Sequence, residues 1–170
     1  MLNTLNGLFI AAVLAGTPLL LGALGEILTE KSGNLNLGVE GMMFMGAITG
    51  LAGSYYYEQA VISAGGNPNG VLSAAIALLT SFLAGAGGAL IYSFLTITLR
   101  ANQNVPGLTL TIFGTGFGHF FGEYIGQKAG GYVAVSETTK KAFSGLHIPG
   151  LSDIPVIGPL LFEYNWLVYF

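Results

Sequence analysis

Four long apolar stretches, at residues 7–28, 37–57, 71–99 and 106–126, constrain this chain more than any other feature. A hydrocarbon core of ~30 Å takes about 20 helical residues to cross, and each stretch is long enough to do so. Composition points the same way. Only 8% of the 170 residues are charged and 52% are hydrophobic, with a mean hydropathy of +0.69. Soluble domains run near ~25% charged, so most of this chain's outer surface must face something other than water. The expected fold is all-α: a polytopic transmembrane helix bundle of about four full spans plus the start of a fifth, with broken or re-entrant helix segments. Its 27 glycines suit that setting, because small residues let helix backbones approach closely in lipid.

Several function classes drop out early. A net charge of −3 on so few ionised groups argues against nucleic-acid binding, which needs a basic face. Without cysteine there is no disulfide framework and no thiolate-held metal. The chain has no Gly-x-x-x-x-Gly-Lys phosphate loop, no His-Glu-x-x-His and no Gly-x-Ser-x-Gly. No catalytic residue, metal site or cofactor is therefore expected. The first stretch lacks a basic leader and exceeds the ~7–15 apolar residues of a signal peptide, so it reads as a retained span, broken only by Thr17-Pro18.

The connections differ in kind. Residues 58–70 hold Gly65-Gly66-Asn67-Pro68-Asn69-Gly70, a turn-rich loop. Residues 100–105 form a short polar link, and Pro106 fits a first helical turn. Residues 127–163 read as a long extramembrane segment whose Pro149, Pro155 and Pro159 preclude one long helix, though residues 136–146 can form a short one. Beyond Glu163 the chain turns apolar again, with Trp166 and Tyr169 suited to a membrane interface. It stops at Phe170, just inside the expected fifth span, as a truncated chain would. Short loops near span ends weigh most in orientation, which assigns Lys31 and Arg100 to the cytoplasmic side, opposite Lys128, Lys140 and Lys141.

Polar residues inside this apolar frame mark the candidate sites. Residues 26–41 place Glu26, Glu30, Lys31, Asn34, Asn36 and Glu40 between two apolar spans. Glu26 and Glu30, four apart, share a helix face, and Asn34-Leu35-Asn36 reads as a helix interruption. Glu40 falls inside the next apolar run, where a carboxylate must face a cavity or a partner. An ordinary polar loop is the plainer alternative to a broken helix lining a path, since unwound backbone in a membrane needs a cavity or protein around it. Asn102, Gln103 and Asn104 repeat the theme before the fourth span, where a solvated turn capped by Asn104 is the plainer reading. Gly114, Gly118, Gly122 and Gly126 recur every fourth residue and read as a helix-packing ridge. His119 and Glu123 share a face of the same helix and read as a hydrogen-bonded pair, with a proton relay the sharper alternative.

The run Glu26-Ile27-Leu28-Thr29-Glu30-Lys31-Ser32-Gly33-Asn34-Leu35-Asn36-Leu37-Gly38-Val39-Glu40-Gly41-Met42-Met43 closely resembles the signature of ABC-importer permeases for nucleosides and simple sugars. That group also contains ribose and branched-chain amino acid permeases. Leu99-Arg100-Ala101-Asn102-Gln103 with Gly107-Leu108 is similar to a second block, in which the family more often has serine than Pro106. Ile148-Pro149-Gly150-Leu151-Ser152-Asp153-Ile154-Pro155-Val156-Ile157-Gly158-Pro159 is similar to a third. The resemblance runs from about Pro18 onward. It implies that residues 1–170 are the N-terminal half of a longer transmembrane permease domain in the bacterial plasma (inner) membrane. It further implies a second permease subunit, ATP-binding subunits and an extracytoplasmic substrate-binding protein as partners. ATPase-coupling residues are then expected beyond Phe170, and Asn34, Asn36, Glu40, Asn102, Gln103 and Asn104 are expected to line or gate the path. Two other readings stay open from the residues alone. One is an ion-coupled secondary transporter or channel using Glu40 or His119/Glu123, and the other is a non-transporting structural membrane subunit.

Overall fold

The computed structural model describes residues 2–155 and 157–169, and every regular element among them is helical. Four long helices come first: α1 (Leu2–Lys31), α2 (Val39–Ser63), α3 (Gly70–Ser93) and α4 (Asn104–Lys128). Three short ones follow: α5 (Glu137–Ala142), α6 (Ile157–Leu161) and α7 (Trp166–Tyr169). The four expected apolar stretches map onto α1 to α4. By length and composition, two helical runs among the described residues can cross a membrane, residues 6–31 and 70–98. At 25 residues each, α2 and α4 are long enough, at about 37 Å. They are less apolar because they carry Glu40 and Glu58, and His119 and Glu123.

Local chemistry sets where these helices stop. At the end of α1, Gly33 takes φ 87°, which glycine adopts without a Cβ penalty. The Gly33 N–H then reaches the Glu30 carbonyl at 2.9 Å and the Asn34 N–H reaches Thr29 at 3.0 Å, the paired bonds of a Schellman stop. At the start of α3, the Asn69 side chain accepts from Val71 and Leu72 N–H at 3.0 and 3.3 Å, satisfying two otherwise orphan donors. Contrary to the expected break at Thr17-Pro18, α1 runs straight through Pro18. The Thr17 hydroxyl donates to the Val13 carbonyl at 2.8 Å, one residue before the Leu14 carbonyl that Pro18 leaves without its N–H. α3 closes with a π turn at Phe94–Thr98, in which Leu99 N–H reaches back five residues to Phe94. Arg100 follows at φ 52°, uncommon for a side chain with a Cβ.

Contacts divide the chain into two compact units. In the unit Leu24–Ala142, α2 packs against both α3 and α4. The α2–α3 seam is made of small and hydroxyl residues. Ser81 donates to the Gly46 carbonyl at 2.8 Å, and the Ser54 and Ser73 hydroxyls meet at 2.6 Å. A Cβ on Gly50 would strike the Ser81 hydroxyl. At the α2–α4 crossing, a Cβ on Gly41 would collide with the Leu110 carbonyl, and one on Gly114 with the Gly41 carbonyl. Farther along α4, a Cβ on Gly118 would meet Phe44 at 3.6 Å and one on Gly122 would meet Ile48 at 3.5 Å, both ordinary contacts. For Gly126 the nearest atom is the Gly131 carbonyl oxygen at 3.5 Å, in the turn that follows its own helix.

The other unit comprises Met1–Ala23 and Phe143–Phe170. Its second piece folds back on itself without a long helix. Leu146 N–H bonds the Tyr164 carbonyl at 2.9 Å. Buried Ser152 accepts from Ile148 N–H at 2.9 Å and donates to the Phe162 carbonyl at 3.0 Å. The segment expected at 127–163 is thus shared between the two units, with α5 in the first. The crossing geometry yields a graded prediction. Gly41→Ala or Gly114→Ala should destabilise by at least about 1–3 kcal/mol through overpacking, whereas Gly118→Ala should stay near wild type. Thermal unfolding in detergent checks this, and equal losses at Gly114 and Gly118 would contradict it.

Candidate functional site

Between α1 and α2 the backbone is unwound across residues 32–38, which frees N–H and C=O groups that need partners. The side chains of four surrounding helical or turn positions supply them. Gln103, in the α3–α4 turn, accepts from Leu35 N–H at 2.8 Å and donates to the Gly33 carbonyl at 3.0 Å. Only one orientation of its amide satisfies both, since one edge must accept and the other donate. Glu26, on the last turns of α1, accepts from Asn36 N–H at 2.7 Å, and its other oxygen accepts from the Thr29 hydroxyl at 3.0 Å. Buried Tyr92 on α3 donates its hydroxyl to the Leu35 carbonyl at 2.5 Å. Thr111 on α4 donates to the Leu37 carbonyl at 2.7 Å.

Asn36 closes the motif from within. Its side chain accepts from Gly38 N–H at 3.0 Å, a turn that launches α2 without any other side-chain cap. Close approach makes the rest possible. A Cβ on Gly107 would fall 2.9 Å from Leu37 N, and one on Gly38 would fall 3.0 Å from the Leu110 side chain. Glycine at these two positions lets α4 come near enough for Gln103 and Thr111 to reach the unwound backbone.

The six polar residues expected here separate into two groups. Gln103 spends both ends of its amide on backbone, while Asn36, buried at 6% exposure, accepts from backbone and donates its amide to the Met42 sulfur at 4.0 Å. Glu40, Asn102 and Asn104 are exposed and Asn34 is half-exposed. Asn102 shapes the turn before α4 by accepting from Asn104 N–H at 3.1 Å; the residue expected as a cap, Asn104, is instead the first residue of the helix. His119 and Glu123 are both exposed on α4, beside a shallow groove that Gly118, Gly122 and Gly126 also line. Tyr92 and Thr111 were not singled out by sequence. The available signal was a hydroxyl deep in an apolar span, which must find an acceptor.

Residues 8–151 match the family described as branched-chain amino acid transport system / permease component. The guanosine ABC transporter permease protein NupQ of Bacillus subtilis is 32% identical over 153 residues, 90% of this chain and 44% of that protein. The putative glucose ABC transporter permease protein TsgC13 of Haloferax volcanii is 41% identical over 121 residues, covering 68% and 31%. The nucleoside ABC transporter permease protein NupC of Lactococcus lactis is 27% identical over 165 residues, covering 97% and 48%. The chain therefore spans between about a third and a half of the length of these relatives. No solved structure matches it.

The clamp predicts a separation of roles. Tyr92→Phe strands the Leu35 carbonyl and should destabilise by about 1–3 kcal/mol, read as a lowered melting temperature. Glu40→Gln should leave stability unchanged. A Tyr92→Phe protein that melts with wild type would show that the unwound segment does not depend on this bond.

Proposed function

Because the chain belongs to the family of permease components of branched-chain amino acid transport systems, we propose that it forms part of the membrane-spanning permease of an ATP-binding-cassette importer for a nucleoside or simple sugar. The observation that carries this reading is the unwound segment at residues 32–38, held by side chains from α1, α3 and α4. An unwound stretch of this kind between two helices, with its backbone satisfied by protein, is the arrangement tolerated at membrane depth where a polar path is needed. In this reading α1 to α4 are four spans, Lys31 and Arg100 lie on the cytoplasmic side, and residues 127–163 belong mainly to the outer side.

The chain performs no covalent chemistry. Its part is to offer two sets of contacts, one favouring each facing state, so that ATP-binding subunits can drive the exchange. Asn34, Glu40, Asn102 and Asn104 are the groups positioned to meet a solute, whereas Asn36 and Gln103 hold the path in shape. Neutral amides with one carboxylate suit ribose hydroxyls and base edges. Two of the relatives are named for guanosine or nucleosides and one for glucose, which supports this substrate class. A second permease subunit and an extracytoplasmic substrate-binding protein complete the assembly. The Gly118–Gly122–Gly126 face, with its exposed groove, is the surface of α4 left for a further helix.

Transport energetics test the proposal. The full-length permease, reconstituted with its ATP-binding subunits and substrate-binding protein, should take up labelled nucleoside only when ATP is supplied on the cytoplasmic face, and a protonophore should leave the rate unchanged. Uptake that persists without ATP and collapses with the protonophore would contradict it and favour an ion-coupled carrier.

A further inference from the structure

Glu58 is only 4% exposed, although its place in the sequence marks the start of a polar loop. Three elements meet on its carboxylate. Oε1 accepts from the Ser73 hydroxyl of α3 at 3.2 Å, the Ser136 hydroxyl at 2.8 Å and the Thr139 hydroxyl of α5 at 2.5 Å. Oε2 accepts from Ser136 N–H at 2.7 Å. Ser73 in turn shares its 2.6 Å bond with Ser54. A carboxylate taken out of water persists only when donors replace its lost hydration, and here four donors converge on it. The fit around them is close. A Cβ on Gly70 would strike the Thr138 carbonyl, and the Thr138 hydroxyl lies 3.4 Å from the Pro68 carbonyl. Residues 136–139 are therefore seated on the C-terminal end of α2 and the N-terminal end of α3. The outward side of α5 carries Glu137 and Lys140 as an exposed ion pair at 2.6 Å.

We propose that Glu58 is a positioning residue that fastens residues 136–142 over the ends of α2 and α3, and thereby fixes part of the outer surface that meets the substrate-delivering protein. The inference rests on the reading of residues 127–163 as the outer segment of an importer. Its partner is the soluble substrate-delivering protein, which would meet the exposed Glu137–Lys140 side of α5. Glu58 itself touches neither substrate nor partner.

Two readouts on the full-length reconstituted transporter decide it. In the wild type, the Ser136 amide should exchange with deuterium at least about tenfold more slowly than an exposed loop amide, because Glu58 holds it. Glu58→Ala should release that protection and shift the binding-protein concentration for half-maximal ATPase stimulation upward by about tenfold, with the maximal rate unchanged. Glu58→Gln should restore most of both, because its oxygen can take the Ser136 N–H while its two amide N–H groups donate to two of the three hydroxyls. Free exchange at Ser136 in the wild type overturns the anchor, and that measurement decides alone if Glu58→Ala does not assemble. Lost protection with an unshifted half-saturating concentration overturns the docking role. A wild type that no binding protein stimulates overturns the importer reading and the docking role together, while the exchange data still decide the anchor.

Discussion

The unwound backbone between α1 and α2 is the constraint that organises the rest of this structure. Peptide groups released from a helix need partners, and leaving one buried and unpaired costs about 1–3 kcal/mol. Here every partner comes from a different direction. Glu26 reaches forward from α1, Tyr92 across from α3, Thr111 from α4 and Gln103 from the turn between them. Each partner fixes where its own element can sit. The glycines at 38, 41, 107 and 114 follow from the same need, since α4 must approach the break at backbone distance for these short side chains to reach it.

How much of this was legible in the sequence depended on the range over which each residue acts. Features with local causes were readable: the four apolar stretches, the polar interruption at 26–41, the short helix after Ser136. Features with partners far along the chain were not. Gln103 looked like a substrate amide because an amide side chain has the same capacity towards a solute or a peptide group, and its two partners lie 68 and 70 residues away. Glu58 looked like the first residue of a loop because its partners at Ser136 lie 78 residues on. The even spacing of glycines on α4 drew the eye to a ridge, of which Gly114 is the member against backbone. Gly41 and Gly50 on α2 are as tightly engaged but lie nine residues apart, so periodicity gave no hint of them.

In the proposed mechanism the solvent-accessible groups Asn34, Glu40, Asn102 and Asn104 are the ones a solute encounters. The clips made by Gln103 lie at exposed positions, where water can replace them at little net loss, whereas the Tyr92 and Asn36 bonds are shielded. α2, uninterrupted over 25 residues, joins the break at one end to the Glu58 anchor at the other.

The central claim is that residues 32–38 line a water-filled path within the membrane rather than an external loop. Cysteine accessibility tests it directly, and the chain has no cysteine of its own to confuse the result. Single cysteines at Asn34, Glu40 and Asn102 would be probed with a membrane-impermeant maleimide in the assembled transporter, nucleotide-free and ATP-bound. The account predicts that all three label in one state and are protected in the other, while a cysteine at Asn36 stays unlabelled in both. Free labelling of Asn34, Glu40 and Asn102 in both states would contradict it and place the segment in bulk water.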